Sequence, residues 1–209
     1  MGGKGFLSVT PVAIAGLLVA GWVACPLPAR AGSQTDNNAP FNINRDLTVR
    51  VVYPRFLRFR VGTPGTGNIN RITFSATVAN VGNSVPIAGT GGETGGGSAA
   101  NIEVTANNGQ VTVTATNNSL NLGLGTGNPA DGYIGYDQIN TVTSDVNLPP
   151  PVLTNAGGTT SLPVLNTALV TQRAAVWTYS YLNQTIPSAG SFGAGGGTGG
   201  RVTYTATMP

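Results

Sequence analysis

The chain has 209 residues, a formal net charge of +3, only 8% charged residues, no histidine and a single cysteine, Cys25. That inventory excludes Ser-His-Asp and Cys-His nucleophile activation and ordinary zinc or copper centres. So little charge also supplies no broad basic surface for nucleic acid or an anionic membrane.

The N-terminus reads as a processing segment. Lys4 gives a basic start, and an apolar stretch follows through Ile14, Leu17, Leu18, Val19, Trp22 and Val23. Pro26 and Pro28 come next, and then Ala29-Arg30-Ala31, whose small residues suit a secretory signal peptide cleaved after Ala31. The run falls short of the roughly 20 apolar residues that cross a bilayer, so no membrane span is expected after cleavage. Cleavage removes Lys4 and Cys25 and leaves eight arginines against seven acids, a charge near +1. The mature chain then has no Cys, Lys or His, so export brings no disulfide and no Lys–Asn crosslink. The expected division is a leader at 1–31, an N-terminal extension at 32–53 and one domain at 54–209.

The mature chain lacks a helical period, and Thr, Val, Asn, Ala and Gly dominate it, a composition of strands and turns. Phe41, Ile43, Leu47, Val49 and Val51 alternate with polar residues, interrupted on the apolar face by Arg45. Pro54 stops this strand, because it cannot donate to a central ladder. Leu57, Phe59 and Val61 share the next face, opposite Phe56, Arg58 and Arg60. Ile72, Phe74, Ala76 and Val78 predict a half-buried strand. Residues 89–97 carry Gly and Thr without core side chains, which predicts an exposed loop.

Alternating runs on either side of Asn107-Asn108-Gly109-Gln110 predict a β-hairpin, since Asn-Gly is a strong short turn signal. Leu120, Leu122 and Leu124 predict a short strand, and residues 133–146 a bent one. Leu148-Pro149-Pro150-Pro151-Val152-Leu153 is expected to be extended, because proline fixes φ and removes donors. Ala175, Trp177, Tyr179 and Tyr181 form the apolar face of a central-strand candidate. Residues 190–200 read as another loop, and Val202, Tyr204, Ala206 and Met208 face one way along the last strand. The Gly-rich stretches match no phosphate-binding motif. Asp131, Asp137 and Asp145 match no calcium-binding loop, and Phe56, Arg58 and Arg60 read as an exposed strand face or a subunit interface. No cofactor and no nucleic acid partner is expected.

Both ends of the mature chain carry a resemblance. An alternating strand ends at Pro54 and is followed by Phe56-Leu57-Arg58-Phe59-Arg60-Val61-Gly62. Near the other end stand Trp177-Thr178-Tyr179-Ser180-Tyr181 and Gly200-Arg201-Val202-Thr203-Tyr204-Thr205-Ala206-Thr207-Met208-Pro209. Together these resemble fimbrial major subunits of the chaperone–usher type, especially the alternative and archaic branches and spore-coat-U-like proteins. The resemblance implies an all-β fold, an immunoglobulin-like β-sandwich completed by an intermolecular donor strand. It implies identical subunits joined head to tail, a periplasmic chaperone, an outer-membrane usher, and a fibre outside a Gram-negative-type cell. The donor residues would be Phe41, Ile43, Leu47, Val49 and Val51. The groove would be lined by the C-terminal strand with Val202, Tyr204, Ala206 and Met208. The chain departs from that pattern in lacking a Cys pair and in carrying Met208 where an aromatic residue is common.

Two rival functions are distinguishable. A secreted β-sandwich adhesin or glycan-binding module would stay monomeric with a complete sheet. An enzyme using paired carboxylates is disfavoured by acids that are few and mostly beside Gly, Asn or Ser.

Overall fold

The computed structural model describes residues 35–41, 43–65, 70–93, 97–119, 121–193 and 199–209. The leader and its cleavage site lie outside the described residues, as do Leu120 and much of the second Gly-rich stretch. The chain divides into two units, residues 1–51 and 52–209. Described residues of the first unit carry neither helix nor strand.

The second unit is all-β and antiparallel. Its strands are β1 (Leu57–Val61), β2 (Ile72–Thr73), β3 (Ile87–Ala88), β4 (Thr90–Gly91) and β5 (Ala99–Ala106), followed by β6 (Thr112–Asn117), β7 (Ile139–Thr143), β8 (Thr159–Ser161), β9 (Thr171–Tyr181) and β10 (Val202–Thr207). Short 3-10 turns occupy Pro129–Asp131 and Tyr136–Gln138. The larger sheet runs β1-β5-β9-β3, with β7 also on β9. A second sheet runs β10-β6-β8, and β2 pairs with β4.

Side-chain parity explains the two main sheets. In β5, Ala100, Ile102, Val104 and Ala106 are buried, and from Asn101 onward the residues between them are only half-buried. In β9, Ala175, Trp177, Tyr179 and Tyr181 are buried, and this strand is central as the aromatic alternation predicts. The register sets Val61, Ile102 and Ala175 side by side across three strands. From the second sheet, Val113 joins the same cluster, with Tyr204, Ala206 and Met208 packed against it. Trp177 is fully buried at its centre, and its indole N–H donates to Leu148 O at 3.1 Å. The Pro149–Pro151 stretch passes that point without strand pairing, so the carbonyl is free to accept.

Four local expectations change. The Asn107-Asn108-Gly109-Gln110 turn is not a hairpin: β5 lies in the larger sheet and β6 in the other. Both edges of β5 are taken by β1 and β9, and both edges of β6 by β10 and β8, so the two cannot pair. The turn instead carries the chain across the core, and its bonds go outward. Asn108 Nδ2 donates to Pro209 O, Gly109 N–H to Leu169 O and Gln110 Nε2 to Pro163 O. Residues 89–93 are not an exposed loop, because β4 pairs β2 and Gly89 is buried. A Cβ on Gly91 would sit 2.3 Å from Arg71 O, so glycine there permits a close backbone approach.

The strand expected through Phe74, Ala76 and Val78 stops at Thr73, and Val78 is exposed within a turn. Leu122 and Leu124 lie in turns rather than in a strand. Leu122 N–H donates to Ser119 O and Leu124 N–H to Ile134 O, neither bond belonging to a strand ladder.

Asparagines organise the loops. Asn183 is fully buried with φ 56°, and its side chain bonds Gly82 N, Asn80 O and Asn83 Oδ1. Replacing it with Ala strands those groups, and the expected loss is about 2–4 kcal/mol in denaturant unfolding. Ile102→Ala, at a site with no solvent exposure, is expected to lose about 2–5 kcal/mol by the same measurement.

Candidate strand-acceptor cleft

Two strands end their sheets beside one core. β1 closes one side of the larger sheet and β10 one side of the second. Leu57, Phe59 and Val61 from β1 pack on the same cluster as Tyr204, Ala206 and Met208. β1 and β10 come within 8 Å between Cα atoms without pairing.

The direction of their backbone groups follows from the ladder. Opposed antiparallel residues alternate between pairs that exchange both backbone bonds and pairs that exchange neither. Asn107 N–H donates to Phe56 O, and Gly62 N–H donates to Asn101 O. Phe56, Arg58, Arg60 and Gly62 therefore bond toward β5, while Leu57, Phe59 and Val61 turn their N–H and C=O groups to the open side. Asn118 N–H donates to Arg201 O in the same way. Thr203, Thr205 and Thr207 then bond toward β6, and Val202, Tyr204 and Ala206 face the open side. Among the described residues no backbone bond takes up either open side. On both strands the residues with outward backbone are those with inward side chains.

The packing around Tyr204 is aromatic. Trp177 and Tyr204 have ring centroids 5.4 Å apart at 59°. Tyr179 and Tyr204 share a hydroxyl–hydroxyl hydrogen bond of 3.1 Å. Burial raises the Tyr179 hydroxyl to about 12, with its bond to Tyr204 acting weakly the other way. Burial, then the charge and hydrogen bond of Tyr179, push Tyr204 well above the ordinary tyrosine value. Val202 and Tyr204 also lean on a smaller cluster of Ala115, Tyr136 and Leu153. Met208 is half-buried, and Asn108 Nδ2 holds Pro209 O at 2.6 Å, which fixes the end of the last strand.

The two sets of expected site residues fall in different units. Val202, Tyr204 and Ala206 lie on β10 with Met208 just after it, all four half-buried. Phe41, Ile43, Leu47, Val49 and Val51 lie in the first unit, carry no strand and are exposed, Leu47 at 86%. The opposite wall of Leu57, Phe59 and Val61 was visible in the sequence only as an apolar face. Nothing in the local pattern marked it as a sheet edge.

The other candidates do not form sites. Arg60 pairs with Glu93 at 3.5 Å and Glu103 at 3.6 Å, and Arg58 reaches Glu103 at 3.7 Å. Arg58 and Arg60 thus share carboxylate partners, Arg58 while largely exposed. Asp145 accepts from Asn147, and Asp137 from Asn155. Among the described residues no three of His, Cys, Asp and Glu gather as a metal site. Among the same residues no helix is long and apolar enough to cross a membrane. No protein-family model, curated protein or solved structure matches the chain.

The folded state holds the Tyr179 and Tyr204 protons more tightly than an unfolded chain, whose tyrosines titrate near 10. The Tyr179 contribution is complete below pH 10 and is lost as pH rises through about 12, and Tyr204 acts in the same direction. Unfolding free energy is expected to fall by roughly 2–3 kcal/mol across that window. The double variant Tyr179→Phe, Tyr204→Phe should show a shallower fall in denaturant titrations at stepped pH.

Proposed function

We propose that the chain is a structural subunit of an extracellular fibre. Each copy is an immunoglobulin-like β-sandwich short of one strand, and residues 41–53 of the next copy supply it. The reading rests on one observation. An alternating apolar segment belongs to no sheet, while β1 and β10 offer unused backbone at core-facing residues on either side of a shared core.

The chemistry of the match is β-strand addition, in which backbone bonds give affinity and alternate side chains give register. Buried in the cleft, Phe41, Ile43, Leu47, Val49 and Val51 each contribute roughly 1.5–3 kcal/mol before ordering costs. The contact is head to tail and does not close on itself, so it generates a filament rather than a ring of two. Export through a cleaved leader places the fibre outside a Gram-negative-type cell. A periplasmic chaperone that fills the cleft and an outer-membrane usher that exchanges the chaperone strand suit an open apolar edge, which aggregates if left uncovered. The subunit is assigned no catalysis and no cofactor.

Negative-stain microscopy of the purified mature chain should show long filaments of regular repeat. Deleting residues 41–51 should leave unpolymerised monomers in size-exclusion chromatography. Leu47→Asp, which asks the core to accept a carboxylate, should cut filament yield by about tenfold or more. Filaments formed by the deletion variant would overturn the proposal. A full-length monomer that binds glycan would favour the secreted adhesin instead.

A further inference from the structure

The leading segment and the cleft belong to one chain, so a subunit that filled its own cleft would stop growing. Opposed residues of an antiparallel pair point to the same face. Val49, Val51 and Tyr53 would turn into the core if they stood opposite Val61, Phe59 and Leu57. That register uses Pro54-Arg55-Phe56 as a three-residue loop. Such loops are built from a type I turn and a following left-handed residue. Pro54 would then fall at the turn position that proline favours, and Phe56 at the left-handed one. The local sequence therefore permits most of a self-filling turn.

Asn107 blocks it. Its Oδ1 accepts from Phe56 N–H at 2.9 Å, and its Nδ2 donates to Pro54 O at 2.8 Å. Its backbone N–H also donates to Phe56 O. One side-chain amide thus holds both ends of the would-be loop in the extended line of β1, on the side of β5. We propose that Asn107 is a positioning residue that prevents the leading segment from folding back into its own cleft and so reserves that segment for a second copy of the chain. This inference rests on the fibre-subunit reading and adds how the same cleft is protected from self-occupation.

Trypsin supplies a direct probe, because Arg45 and Arg50 lie in the leading segment. In dilute wild-type monomer both sites should be cut readily. In Asn107→Ala monomer both should be protected, and filament growth followed by light scattering should slow by roughly tenfold or more, the effect of losing two hydrogen bonds. A second variant separates this from misfolding. Proline cannot adopt the left-handed conformation, so Asn107→Ala with Phe56→Pro should regain both cleavage and growth. Wild-type growth by Asn107→Ala with Arg45 and Arg50 still cut overturns the role of Asn107 and leaves the subunit reading standing. Slow growth with uncovered arginines and no rescue by Phe56→Pro reduces Asn107 to a structural residue and overturns the inference as well. Absence of filaments from the wild-type chain would sink the subunit reading, and this inference with it.

Discussion

An edge strand beside a hydrophobic core has two kinds of group to satisfy, and β1 and β10 satisfy only one. Their inward side chains pack on Ile102, Val104, Val113 and Trp177. Their outward N–H and C=O groups have no backbone partner among the described residues. An open sheet edge of this kind is a template for pairing with another strand. The alternating apolar segment at 41–51 is a strand of that kind, and in this chain it stays exposed.

The rest of the architecture serves to hold those two edges in place. The turn at residues 107–110 crosses the core and so puts β5 and β6 on opposite sides of it. β1 is then carried by β5, and β10 by β6. The same turn steadies three segments with its own polar groups: Asn107 the entry to β1, Asn108 the residue Pro209 after β10, and Gln110 the stretch at Pro163. Asparagine and glutamine amides do this stapling. Asn183 plays the matching part at residues 80–85.

Much of the strand content was legible. Residues Ala175 to Tyr181 announced a central strand because aromatic alternation needs a core on one face. Leu57, Phe59 and Val61, and Val202 to Met208, announced half-buried strands by the same rule. Partner choice was not legible. Asn107-Asn108-Gly109-Gln110 has the composition of a hairpin turn, yet whether it joins strands of one sheet or bridges two depends on who else occupies their edges. Residues 89–93 looked like solvent-facing loop because glycine has no side chain to bury, while the structure uses that emptiness for close backbone contact at Gly91. At Phe74 to Val78 and at Leu122 to Leu124 the alternation was present without a neighbouring edge to receive it.

By itself the sequence determined the all-β class, the faces of the principal strands, and the lack of histidine that leaves no Ser-His-Asp or Cys-His nucleophile activation. Those properties are written residue by residue, in side-chain type and in a period of two. The tertiary structure alone decided which strands sit at the edges and which way their unused backbone points, and it alone brought Asn107 onto Pro54 and Phe56. Edge status belongs to a sheet and not to a strand, because it is set by hydrogen bonds to residues roughly fifty to a hundred positions away.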